Sequence, residues 1–212
     1  MDFYHVLNRG VEKRNIVKND KDRLRFLHDL YVFNDAQAAP NYILLKRHEE
    51  QQKRSCLVRV HAFCLMNNHY HLLLSEVEEG GISRYMQKLN MGYAKYFNEK
   101  YERVGTLWQG KYRKILIERD AHFMYIPYYI HLNPLDYSFP EWREGKVQNA
   151  QKALESLRHY RWSSHLDYLG IKNFPSISDR KEILGVTPNR YEKEIANLIG
   201  DPAAAIFSTS IE

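Results

Sequence analysis

Two histidines separated by one residue, His69 and His71, lie in the stretch VRVHAFCLMNNHYHLLLS from Val58 to Ser75. In an extended strand both imidazoles leave one face while Tyr70 points to the other. Neutral imidazoles co-oriented by a sheet make a bidentate platform for a divalent cation. The plainer reading is a histidine pair alternating on a half-exposed strand. Further along, Tyr125, Tyr129 and Asn133 fall at i, i+4 and i+8 of AHFMYIPYYIHLN, stacked on one helix face. If that helix crosses the histidine-bearing face of the sheet, Tyr129 and Asn133 reach the platform together. Two imidazoles and a carboxamide oxygen then hold an ion that acts as a Lewis acid and orients a phosphodiester for in-line attack by the tyrosine oxygen. A phenol with an ordinary pKa of about 10 needs activation by the metal or a base. The product is a covalent phosphotyrosine, which conserves bond energy for rejoining. Against this stands a simple packing stripe of aromatic residues.

The elements that must position these groups can be read in order. Phe3 to Arg9 is a first strand, ended by Gly10 and followed by the basic loop VEKRNIVKND. Asn19 caps a helix whose apolar positions are Leu24, Leu27, Leu30, Tyr31 and Phe33. Residues 34–55 form an insertion with the charge run KRHEEQQKR, to which no chemistry is assigned. In the following hairpin, Asn67-Asn68 supply the positive φ that a two-residue turn demands, pairing Met66 with His69 and Cys64 with His71. After Gly80-Gly81 a helix buries Ile82, Tyr85, Met86, Leu89, Tyr93, Tyr96 and Phe97, with Arg84, Lys88 and Lys95 opposite. The run TLWQGKYRKILIE reads as a strand. Asp120 caps the next helix, which Asn133-Pro134 stops and which Pro127 burdens by roughly 3 kcal/mol unless it kinks. The order strand, helix, strand-strand, helix, strand, helix is the split βαβ pattern of a ferredoxin-like α+β fold with an antiparallel sheet. The division is 1–140 for this domain and 141–212 for a helical C-terminal extension packed on it, ending in a helix near Pro188–Ile199 and a fraying tail.

The 212 residues carry a net charge of +5 with 44% hydrophobic content, which suits one compact soluble domain with a polyanionic partner. Sixteen tyrosines with many arginines suit stacking on bases and contact with phosphates. Cys56 and Cys64 read as small thiols on one strand, offering neither a disulfide framework nor a zinc knuckle. No apolar run is long enough to span a bilayer and no signal peptide is evident, so a cytoplasmic location without membrane association is expected.

HAFCLMNNHYHLLLS, GGISRYMQKLN, YFNEKY, GTLWQGKYRKILIE and YIHLNP together resemble the REP-associated tyrosine transposases, a branch of the HUH single-strand transposases. YHVLNRG and YRWSSHLDYLG extend the likeness over roughly Tyr4 to Gly170. The resemblance implies that His69 and His71 bind metal, that Tyr129 is the nucleophile, and that Asn133 is a third, polar ligand. It also implies Mg²⁺ or Mn²⁺, no small-molecule cofactor, a 5′-phosphotyrosine intermediate, and single-stranded DNA with a hairpin or palindrome as partner. Arg9, Lys13, Arg14, Lys111, Arg113, Arg158 and Arg161 are the DNA-binding candidates. The chain departs from the family pattern at Asn67-Asn68, in the 34–55 insertion and at Pro127, which keeps Tyr125 and Tyr128 as reserve nucleophiles. Monomer and homodimer both fit. A hairpin-binding protein without cleavage and a metal hydrolase using water remain the rival readings.

Overall fold

The computed structural model describes residues 1–37, 54–118, 120–179 and 187–201. Most of the 34–55 insertion and the tail after Asp201 therefore lie outside the described residues. Four strands, β1 (Phe3–Arg9), β2 (Val58–Leu65), β3 (His69–Glu76) and β4 (Arg113–Leu116), form one antiparallel sheet in the order β2-β3-β1-β4. With α1 (Asp20–Val32) after β1 and α2 (Gly81–Lys100) after β3, this is the α+β split βαβ arrangement.

Alternation splits the sheet residues between two cores. Tyr70, Leu72 and Leu74 join Val6, Val60 and Phe63 in a cluster with Phe26, Leu27 and Leu30 of α1 and Tyr85, Leu89 and Tyr93 of α2. Ala62, Cys64 and Leu73 face the other way, under α3 (Asp120–Leu132). The sheet is thus covered on both sides, and the histidine-bearing face is the one beneath α3.

The hairpin register is the expected one, with Cys64 opposite His71 and Met66 N–H donating to the His69 carbonyl at 2.8 Å. Its tip is not. Neither Asn67 nor Asn68 has a positive φ. Tertiary bonds hold the turn instead: the Asn67 carbonyl accepts from Ile16 N at 2.7 Å, the Asn68 carbonyl from Gly10 N at 2.8 Å, and Arg23 donates to Asn67 Oδ1 at 2.8 Å. Gly10 is required there by space, since a Cβ would stand 2.3 Å from the Arg14 carbonyl oxygen.

Other expectations need adjusting. β4 is four residues long, and the segment before it is irregular apart from a bridge between Gly10 and Trp108. Cys56 lies ahead of β2 rather than on it. In α1 the exposed Leu24 cedes its core place to Phe26. Arg84 and Lys88 are tied to Glu78 and to the carbonyls of Asp35 and Gln37. Helix α3 runs through Pro127 without interruption. Its roughly 3 kcal/mol burden is outweighed by burial of Tyr125, Ile126, Tyr128, Tyr129, Ile130 and Leu132, each contributing about 1.5–3 kcal/mol.

The 3-10 segments Asn133–Tyr137 and Pro140–Glu144 lead into α4 (Ala150–His159), α5 (His165–Tyr168) and α6 (Pro188–Ile199). Trp142, Leu157, Tyr168, Tyr191 and Ile195 share one buried cluster with α3. A polar chain reinforces the junction: His131 Nε2 meets Ser164 Oγ at 2.7 Å, and Tyr191 Oη joins His131 Nδ1 at 2.8 Å to His165 Nδ1 at 2.9 Å. Among the described residues, no helix is long and apolar enough to cross a membrane.

Candidate active site

The face of the sheet under α3 brings His5, His69 and His71 together. Arg9 lies opposite His69 and Leu7 opposite His71 across the β1–β3 pair, which brings His5 of β1 alongside His71. His5 Nε2 and His71 Nδ1 are 2.9 Å apart and the two rings stack at 5.1 Å. His69 lies edge-on to His71 at 4.9 Å.

Burial, reinforced by nearby cations, keeps all three rings neutral. His5 is lowered to about 3 by burial and Arg113, and His69 to about 4 by burial and Arg9, with Asp136 opposing. Burial and then His69 and His5 hold His71 well below the ordinary histidine value. Neutral imidazole is the metal-ligating form.

Each ring of the expected pair has its other nitrogen occupied. His69 Nδ1 lies 2.6 Å from Asn68 Oδ1, an acceptor, so the proton sits on Nδ1 and the lone pair on Nε2. The His5–His71 contact can run in either direction; the tautomer a metal requires has His71 Nδ1–H donating to His5 Nε2 and the lone pair of His71 on Nε2. That atom is buried and has no hydrogen-bond partner, a situation costing about 1–3 kcal/mol that a bound cation would relieve. Outer groups that fix the tautomer of a ligating histidine are a usual feature of metal sites. The donor set therefore fits a divalent cation. Among the described residues no group of three or more His, Cys, Asp or Glu is placed to hold one, so oxygen donors of other kinds must complete the shell.

Helix α3 brings Tyr129 onto this platform. Its ring meets His71 at 5.8 Å and His5 at 5.9 Å, both edge to face. The residue is fully buried. Tyr125 packs on Tyr129 at 6.3 Å, one turn away. Tyr128 points elsewhere, bonding Glu194 and stacking on Tyr191 at 5.3 Å.

Asn133 begins the 3-10 segment after α3. Its Nδ2 donates to the Tyr129 carbonyl at 2.8 Å and its Oδ1 accepts from Arg143 at 3.0 Å. That oxygen keeps a second lone pair. Arg143 and Asp136 were not legible as site residues. Asp136 accepts two bonds from Arg143, each at 2.8 Å, and one from Trp142 Nε1 at 2.7 Å. Both sit in 3-10 turns, where neither the helical nor the strand period applies. His5 carried a signal, since in a strand it shares one face with Phe3 and Leu7, opposite the buried Val6.

The basic candidates fall into separate groups. Arg9, Lys111 and Arg113 line one cavity of about 420 Å³ together with Asn8, Gln109 and His71. Lys13 and Arg14 lie beside the hairpin tip, where the Lys13 carbonyl accepts from Asn68 at 3.3 Å. Arg161 stacks over Trp162 and Phe174 at 5.2 and 5.4 Å. Arg158 is paired with Glu192 and does not line the cavity beside His71.

Comparison with known proteins adds a family. Residues 4–133 match the sequence model of a family described as transposase, IS200-like. The matched span takes in β1 with His5, the histidine hairpin and α3, and ends on Asn133. One solved structure similar to this chain is of a REP-associated tyrosine transposase bound to a REP hairpin. It is 14% identical, covers 85% of this chain and 87% of that one, and gives a TM-score of 0.46. No curated protein matches the chain.

Proposed function

Because this chain belongs to the IS200-like transposase family, we propose that it nicks and rejoins single-stranded DNA through a covalent bond to Tyr129. The supporting observation is the contact of the Tyr129 ring with His71, whose Nε2 is buried and unpartnered. His69 and His71, with Asn133 as third ligand, would hold Mg²⁺ or Mn²⁺. Bound there, the ion supplies Lewis acidity toward a phosphate oxygen. Every other function belongs to side chains. Tyr129 Oη attacks the phosphorus; the P–O3′ bond breaks, leaving a 3′-hydroxyl and a 5′-phosphotyrosine. The phenolic proton goes to solvent, and the departing 3′ oxygen takes one up. Rejoining reverses the two bonds. Asn133 braces the Tyr129 carbonyl, and packing between α3 and the sheet holds the tyrosine ring beside His71.

The substrate in this reading is DNA carrying a hairpin or palindrome. Arg9, Lys111 and Arg113 receive the strand beside His71, and Lys13, Arg14, Arg158 and Arg161 contact backbone phosphates further off. A second reading, hairpin binding without cleavage, draws on the complete burial of Tyr129, which DNA must open to reach the oxygen. Denaturing electrophoresis of labelled hairpin DNA incubated with the protein and Mn²⁺ separates the two. A protein-linked DNA band lost with EDTA and in Tyr129→Phe supports cleavage; gel retardation with no such band under any divalent ion refutes it.

A further inference from the structure

The segment Pro140–Glu144 packs against Tyr129. Trp142 packs on the Tyr129 ring at 6.1 Å, and the Arg143 guanidinium carbon is 5.9 Å from the centre of that ring. The guanidinium thus stands beside the Tyr129 side chain, as a neighbour of its hydroxyl. The guanidinium is aimed by its neighbours rather than by its own preference. Nε and Nη2 grip the two oxygens of Asp136, Nη2 also reaches Asn133 Oδ1, and the plane rests on Trp142 at 4.8 Å. Three of its five N–H groups are thereby spent on anchoring. Asp136 is itself held by Trp142 Nε1, so the ion pair is fixed at both ends.

Arg143 is about a quarter exposed, whereas Tyr129 is buried. An arriving phosphate thus meets this cation on its way to the tyrosine oxygen. Hydrogen bonds aimed at an atom that gains charge during reaction act on the transition state more than on the ground state. A guanidinium suits this task because it stays charged and presents fixed donors.

We infer that Arg143 is a catalytic residue of the nicking reaction, its guanidinium stabilising the negative charge on Tyr129 Oη as that oxygen attacks phosphorus and again as it departs on rejoining. This rests on the nuclease reading given above. It assigns to one arginine both directions of the exchange, since the same oxygen bears charge before the P–Oη bond forms and after it breaks.

The test measures the rate of covalent adduct formation at saturating DNA, hairpin affinity and thermal stability. It uses the full chain, Mn²⁺ and single-stranded DNA with a palindromic stem and randomised flanks. Arg143→Gln, folded, should form adduct about 10²-fold or more slowly with hairpin affinity little changed. Free guanidinium in the buffer should restore part of the rate. Adduct at the wild-type rate overturns the inference, and so does a rate loss matched by an equal loss of affinity, which makes Arg143 a DNA contact only. If Arg143→Gln does not fold, Arg143→Lys decides. Partial activity, with rejoining slowed as much as nicking, supports the assignment. Activity as low as that of Tyr129→Phe in a folded Lys variant refutes it. Absence of adduct from the wild-type protein refutes the nuclease reading itself and is a separate result.

Discussion

The Tyr129 ring stands edge-on to the His71 imidazole, 5.8 Å between centroids and 89° between planes. One residue comes from a late helix and the other from a central strand, 58 positions apart in the chain. The contact exists because β3 turns His71 to the face that α3 covers, and because α3 stays helical through Pro127. The two side chains meet where those two elements cross.

Replacing both His69 and His71 by Ala should abolish cleavage while leaving hairpin affinity nearly unchanged. The cations that dominate affinity are separate side chains. Electrophoretic cleavage and retardation assays on the same preparation check this; undiminished cleavage contradicts it.

His5 tests whether the tautomer of His71 matters. His5→Ala removes the partner of His71 Nδ1 and should lower Mn²⁺ affinity about 10–100-fold by calorimetry. His5→Gln, which keeps an acceptor, should recover most of it. Unchanged affinity in the Ala variant would show that His71 is oriented by other means.

For the cavity beside His71, Arg113→Ala should weaken DNA binding about equally across sequences and reduce the slope of log K against log salt by about 1. Arg158→Ala, whose partner is Glu192, should alter the slope less. Equal slopes for both variants count against the cavity as the path of the strand.

Much of this was legible in the sequence, for reasons that differ by residue. Strict alternation around Tyr70 fixed the common face of His69 and His71, and spacing by four fixed that of Tyr125 and Tyr129. The Asn67-Asn68 turn misled because its conformation is set by bonds to Gly10, Ile16 and Arg23, which no local rule contains. The length of β4 misled because an apolar run marks buried residues, not strand residues, and Leu107 and Trp108 are buried from an irregular segment. Arg143 and Asp136 escaped because their meeting depends on how two 3-10 turns fold back on each other.

A structural prediction concerns acid. Buried Asp22 accepts from Lys100, Tyr101 Oη at 2.6 Å, Lys18 N at 2.8 Å and Tyr96 Oη at 2.9 Å. Burial alone would raise its carboxyl pKa, but these donors prevail and hold it below the ordinary 3.8. A carboxyl depressed in the folded state contributes stability that is complete above its unfolded value and lost as pH falls through the folded one. Asp22→Asn should therefore cost about 2 kcal/mol at neutral pH and flatten the loss of stability below about pH 4. Denaturant melts at pH 7 and pH 3 check both; a penalty equal at the two pH values contradicts the assignment.

The central claim is that Tyr129 is the residue that becomes joined to DNA. Protease and nuclease digestion of the trapped adduct, followed by peptide mass spectrometry, reads this directly. The account predicts a nucleotide 5′-phosphate attached to Tyr129. Attachment to Tyr125 or Tyr128, or cleavage that yields only free 5′-phosphates and no linked peptide, contradicts it.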